Sequence, residues 1–132
     1  MNFIRHKEKS MEQALEMVKI AYQALDDKLA EDIRIVDIRE ISTIADYFII
    51  ADGTNKNQVQ ALVDNVQEEL EKAGYEMKAM EGYRVGNWVL LDFNDIIIHI
   101  FDRENRLFYD LERIWKDGKE VKAEDLGIEV QD

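Results

Sequence analysis

The chain has no cysteine and no proline, few glycines and no long apolar run. Without cysteine there is no disulfide framework, thiolate metal site, iron–sulfur cluster or cysteine nucleophile. The same absence agrees with a reducing compartment, and a cytoplasmic location is the expectation. The longest apolar stretch is Tyr47–Ala51, far short of the roughly 18 residues that a membrane-spanning helix needs. Residues 1–10 are charged and lack the apolar centre of a secretory signal. Basic charge is scarce as well: 17 Lys and Arg stand against 29 Asp and Glu, for a net charge of −12. Phosphate backbones repel such a chain unless it carries a local basic stripe, and the only basic cluster is Arg5, Lys7 and Lys9. Nucleic acid is therefore a poor direct partner and a basic protein a complementary one. The plainer alternative is that the acidity serves solubility alone.

What is present is a globular composition, 46% apolar and 35% charged over 132 residues. That is one domain, long enough to bury a core without covalent or metal staples. Leu15, Val18, Tyr22, Leu25 and Leu29 recur at helical spacing and predict a helix over Met11–Leu29, with Ser10 as its N-cap. Residues 1–10 then read as a mobile extension. Ile33–Ile38 and Tyr47–Ala51 read as strands, the second apolar throughout and so central in its sheet. Val59, Leu62, Val63, Val66 and Leu70 predict a helix from about Lys56 to Ala73, closed by Gly74. A strand over Glu76–Met80 follows, then a hairpin of Asn87–Phe93 and Ile96–Phe101 about the turn Asn94-Asp95. The last helix spans about Arg103 to Trp115, with Asp102 as cap and Leu107, Leu111 and Ile114 inward. Residues 117–132 are polar and acidic and read as a frayed tail. The order α-β-β-α-β-β-β-α is an α+β fold with a single mixed sheet of about five strands, the crossover between the second and third strands making that part parallel.

The hairpin permits register arithmetic. A two-residue turn pairs Phe93 with Ile96, Leu91 with Ile98 and Val89 with Ile100, all apolar, so that face is core. The opposite face sets Trp88, Leu90 and Asp92 against Phe101, His99 and Ile97. Tryptophan, histidine and aspartate among apolar residues on a rigid support suit a partner-docking surface. The alternative is a second core layer, with His99 satisfied by one hydrogen bond and Trp88 as filler.

Evidence for catalysis is thin. His99 is the only histidine outside residues 1–10, and zinc wants three or four ligands of the His and Cys kind. A His99–Asp92 pair could orient an imidazole, but no nucleophile accompanies it; Ser10 and Ser42 are the only serines. Asp52-Gly53-Thr54-Asn55 before a helix could hold a phosphate, yet no Lys-Ser or Lys-Thr pair follows. Helix capping is the simpler reading of that turn. No cofactor and no metal are expected.

Several separated stretches together resemble one family. They are Ala24–Ile33, Asp46-Tyr47-Phe48-Ile49-Ile50, Gln58-Val59, Glu81-Gly82-Tyr83, Gly86–Phe93, Asp95, Ile98-His99-Ile100-Phe101 and Arg106–Glu112 with Trp115. Over about Met11 to Trp115 the chain resembles the ribosomal silencing factor family, relatives of the plant Iojap protein. A domain over 11–116 follows from that resemblance. It implies a binding protein and not an enzyme: a factor that docks on the fourteenth protein of the large ribosomal subunit, blocks joining of the small subunit and represses translation. It also implies a nucleotidyltransferase-like fold without catalytic residues, consistent with the missing Asp-x-Asp pair for two metal ions. Partner contacts would come from Trp88, Leu90, Asp92, Asp95 and His99. Tyr47, Phe101, Arg106 and Tyr109 match the pattern too and are expected in the core or behind the contact surface. Many family members have a Gly-Asp turn where this chain has Asn94-Asp95. A homo-oligomeric scaffold, with the hairpin face as a two-fold dimer surface, or an inactive nucleotidyltransferase-like binding module, is the alternative reading.

Overall fold

The structure, a computed structural model, describes residues 2–108 and 118–129, with side chains described over 11–105 and 118–129. Helix α1 (Asn2–Asp27) leads into strands β1 (Glu31–Asp37) and β2 (Tyr47–Gly53), then helix α2 (Lys56–Lys72). Strands β3 (Ala79–Glu81), β4 (Trp88–Asp92) and β5 (Ile96–Asp102) follow, then α3 (Arg103–Phe108), β6 (Lys119–Val121) and a 3₁₀ turn over Ala123–Leu126. The six strands form one sheet in the order β3-β4-β5-β2-β1-β6. Among the described strands only the central β2–β5 pair is parallel; the other pairs are antiparallel. The parallel pairing is thus not between the second and third strands, as the crossover alone suggested. β3 runs in the same direction as β2 but is separated from it by β4 and β5, at the edge.

Local chemistry accounts for most elements. On α2, Val59, Leu62, Val63, Val66 and Leu70 are all buried, and Asn55 caps the helix by accepting from the Gln58 N–H at 2.9 Å. Gly74 adopts φ +95, and the Tyr75 N–H reaches the Leu70 carbonyl at 3.0 Å, closing the last turn. The expected stripe on α1 is largely present: Val18, Tyr22 and Leu25 are buried and Leu15 packs against them half-buried, with Ala14, Met17, Ala21 and Ala24 widening the core side. Leu29 lies beyond the helix, 77% exposed at φ +63, where the chain turns left-handed to end α1. Ser10 lies inside α1 and does not cap it, because the helix begins at Asn2.

The hairpin register is the expected one, from Trp88↔Phe101 through Leu90↔His99 to Asp92↔Ile97. Asn94 takes the positive φ of the turn, +75. Strand alternation then separates two cores. Val89, Leu91, Phe93, Ile96, Ile98 and Ile100 join Tyr47, Ile49 and Ala51 against α1 and α2. Val36, Ile38, Ala45, Ile50, Ile97 and Phe101 form a smaller core on the outer face, with Phe48, Trp88 and Leu90 packed at its margin.

The expectation of a frayed end over 117–132 is corrected for its described residues, 118–129. β6 pairs with β1 through Ile35↔Val121, Val36↔Glu120 and Asp37↔Lys119, and Ala123 and Ile128 are buried in the main core. Backbone hydrogen bonding to an exposed strand edge needs no apolar composition, so a polar segment can be ordered by pairing. The last helix is described over Arg103–Phe108, where Asp102 caps it by accepting from the Asn105 N–H at 2.8 Å. The inward residues Leu111 and Ile114 lie outside the described residues.

Candidate functional site: the outer face of the hairpin

β4 and β5 place Trp88, Leu90, Asp92, Ile97, His99 and Phe101 on one face because side chains alternate along each strand. β3 extends it, since Glu81 pairs with Leu90 and Ala79 with Asp92. Burial divides this face in two. Toward β2, His99 is 4% exposed and Phe101 fully buried; toward the β3 edge, Trp88, Leu90 and Asp92 are half-buried and Glu81 is exposed. Glu81, Gly82, Trp88 and Leu90 line a cleft of about 310 Å³ at that open end.

Ring packing fixes the interior of the site. Trp88 stacks on Phe101 with centroids 5.2 Å apart, and Phe48 meets His99 edge-on at 4.9 Å. The Trp88 indole Nε1–H donates to His99 Nδ1 at 3.1 Å. His99 Nε2 is buried and has no partner among the described residues. Burial pushes the imidazole pKa down to about 4, so His99 is neutral at physiological pH. Gly82, at φ +85, lets β3 approach β4 closely: a Cβ there would lie 2.1 Å from the Trp88 carbonyl oxygen.

The carboxylates have distinct tasks. Asp92 Oδ1 accepts from the Asn94 N–H at 2.8 Å and shapes the turn. The Asp95 carbonyl accepts from the Asp46 N–H at 2.8 Å, tying the turn to the start of β2. Burial, then the neighbouring Asp46, pushes the Asp95 carboxyl up, and burial does the same to Asp46. Glu81 has no ion-pair partner among the described residues. The open end of this face is therefore apolar at its centre and acidic along its rim.

The structure brings Trp88, Leu90 and Asp92 into one patch and sets Asp95 beyond it at the end of the sheet. His99, expected among the contacts, lies beneath the surface: it shares the outer face with Trp88 and Leu90, but the rings of Phe48, Trp88 and Phe101 pack against it. Tyr47 belongs to the main core on the other face, with the Arg39 guanidinium 5.5 Å from its ring centre, and Phe101 belongs to the smaller one. The side chains of Arg106 and Tyr109 lie outside the described residues. Glu81 and Gly82 as cleft walls, and Phe48 as the support of His99, were not singled out for these roles in the sequence. Their only signals were the runs Glu81-Gly82-Tyr83 and Asp46-Tyr47-Phe48-Ile49-Ile50.

The turn before α2 acts as a cap. Gln58 Oε1 accepts from the Thr54 N–H at 2.6 Å and the Thr54 hydroxyl at 2.7 Å, while its Nε2 donates to the Lys28 and Leu29 carbonyls. The Thr54 N–H and hydroxyl and the Gln58 N–H, which a phosphate could use there, are engaged within the turn. Gly53 answers the close approach of α2, since a Cβ on it would lie 2.8 Å from Val59 Cγ2. Among the described residues no cluster of three metal-ligating side chains occurs.

Comparison with known proteins bears on the family and the fold. The family profile "Ribosomal silencing factor during starvation" matches residues 11–132, past the expected limit at 116. The ribosomal silencing factor RsfS of Bacillus subtilis is 42% identical over 102 residues, covering 77% of this chain and 86% of that protein. Its counterpart from Halalkalibacterium halodurans is 38% identical over 109 residues, covering 83% and 93%. A crystal structure of a Bacillus halodurans protein superposes with a TM-score of 0.74 at 34% identity, covering 81% of this chain and 97% of that one. With a profile matched over nearly its whole length and relatives covered almost end to end, the chain belongs to the ribosomal silencing factor family.

Proposed function

We propose that this protein silences ribosomes by occlusion: the open end of its outer sheet face docks on the fourteenth protein of the large subunit, at the surface that meets the small subunit, and its bulk prevents joining. The observation that carries the reading is the half-exposed pair Trp88 and Leu90 on a rigid strand, beside a cleft rimmed by Glu81 and Asp92. Such a patch offers an aromatic anchor at its centre and carboxylates for Arg or Lys of a basic partner at its rim. Asp95 extends the acidic rim toward the end of the sheet. His99 contributes from beneath, through the ring it holds.

Occlusion requires affinity and a fixed pose, and no chemical step. The net charge of −12 favours a basic ribosomal protein while the surrounding RNA repels the rest of the domain, which confines docking to the protein patch. Subunit joining takes place in the cytoplasm, so the same reading gives the protein a cytoplasmic workplace. Among the described residues no helix is long and apolar enough to cross a membrane.

The test is co-sedimentation with purified large subunits, followed by addition of small subunits, for the wild type and Trp88→Ala. Wild type should pellet with the large subunit and suppress joining, and the variant should do neither. Equal binding by both proteins sinks the assignment of the face. Binding by neither, together with loss of self-association in Trp88→Ala, would instead favour a homodimeric scaffold.

A further inference from the structure

We propose that His99 is a positioning residue for docking: by accepting the Trp88 indole N–H at Nδ1, it fixes the pose in which Trp88 meets the partner. This rests on the reading of the outer face given above. Trp88 and His99 are not directly opposed in the ladder, where Trp88 faces Phe101 and Leu90 faces His99. The 3.1 Å bond therefore reaches diagonally across the hairpin. It holds the indole by its N–H while Phe101 supports the ring from below, at 5.2 Å between centroids. His99 is steadied in turn by the Phe48 edge at 4.9 Å.

The arrangement is costly for the fold, and the cost indicates its use. An imidazole that accepts at Nδ1 and is neutral carries its proton on Nε2. That N–H is buried and unpartnered among the described residues. An apolar side chain of similar size would pack between Phe48 and Phe101 without stranding a donor. Trp88 is half-exposed, so without His99 its N–H would turn to water and the ring would leave the wall of the cleft it shares with Glu81, Gly82 and Leu90. What His99 supplies is a single orientation of the anchor before the partner arrives, which spares the complex the entropy of ordering it.

The experiment compares His99→Leu, His99→Gln, Trp88→Phe, Trp88→Ala and the double variant His99→Leu/Trp88→Phe. It measures affinity for purified large subunits, denaturant stability, and solvent exchange of the Trp88 indole proton by NMR of the full chain. His99→Leu should be at least as stable as wild type, exchange that proton faster, and bind about fivefold more weakly, the penalty of ordering one side chain on association. His99→Gln, whose amide oxygen can accept the same proton, should recover affinity. The double variant should bind no more weakly than Trp88→Phe alone, because His99 acts through the indole N–H. Losses that add in the double variant overturn the proposal. So does a His99→Leu protein that loses stability and affinity together without recovery in His99→Gln. Full affinity in His99→Leu alongside lost binding in Trp88→Ala overturns the role of His99 and leaves the face assigned. Full binding by Trp88→Ala removes the face itself. Should His99→Leu fail to fold, His99→Phe, matched to the neighbouring rings, carries the same comparison.

Discussion

Replacing Gly82 with alanine tests whether the open end of the sheet depends on a close backbone approach. Gly82 and Gly74 both have a positive φ, +85 and +95, but their surroundings differ. A Cβ at Gly74 meets nothing within 4 Å, whereas one at Gly82 would lie 2.1 Å from the Trp88 carbonyl oxygen. The left-handed backbone alone costs an L-residue about 1 kcal/mol. Gly74→Ala should lose that and little else. Relief of the clash at Gly82 requires β3 to part from β4 and strains the Gly86 N–H to Gly82 carbonyl bond, 2.9 Å in the structure. With about 1 kcal/mol for each disturbed hydrogen bond, Gly82→Ala should cost about 3 kcal/mol in all. For a domain of this length that is about 10 °C in Tm, against about 3 °C for Gly74→Ala. Thermal and urea unfolding of the two variants side by side measure the difference. Equal losses would refute the packing argument and leave only the dihedral cost. Gly82→Ala should also weaken large-subunit binding, since it displaces the backbone that carries Trp88.

Acid titration offers a second check. Burial holds His99 at about 4 against an ordinary 6.5, so the unfolded chain takes up that proton first. The resulting penalty on the folded state, about 3 kcal/mol, is absent above pH 6.5 and builds up as pH falls toward 4. His99→Leu should flatten the stability–pH slope in that window, and an unchanged slope would refute the assignment. Asp46 and Asp95 work with the opposite sign: their carboxyls are pushed up, so their ionisation opposes folding at neutral pH and the opposition fades on acidification. Asp95→Asn should accordingly unfold at no lower urea concentration than wild type at pH 7. Leu29→Gly, which removes a left-handed φ from an exposed leucine, should stabilise by about 0.5 kcal/mol in urea unfolding. Association with large subunits should slow as salt rises from low to physiological ionic strength, measured by stopped flow; a rate independent of salt would argue against an acidic docking rim.

Elements whose signals are local were legible without any structure. The five buried residues of α2, its Asn55 cap and Gly74 closure, and the Asp102 cap all depend on neighbours within one or two turns. The hairpin register followed from the turn and a period of two, which together placed Trp88, Leu90 and Asp92 on one face. The separated motifs placed the family because their order in one chain is more specific than any single motif.

Strand order, burial on the outer face and the fate of the acidic end depended on contacts between distant residues. β6 is polar and short, and only the free edge of β1 makes it a strand. Hairpin register alone put His99 on the outer face and left open whether that face is a docking surface or a second core layer. Phe48 from the parallel strand β2 and Phe101 beside it make it a buried acceptor for the Trp88 indole. The cleft needs Gly82 to bring β3 against β4, a contact of backbones that leaves no periodic trace in the chain. Sequence by itself thus determined helix α2, the hairpin and the family, through spacing and side-chain chemistry along the chain. Tertiary structure decided which half of the outer face stays open to a partner, because exposure is set by what other segments cover.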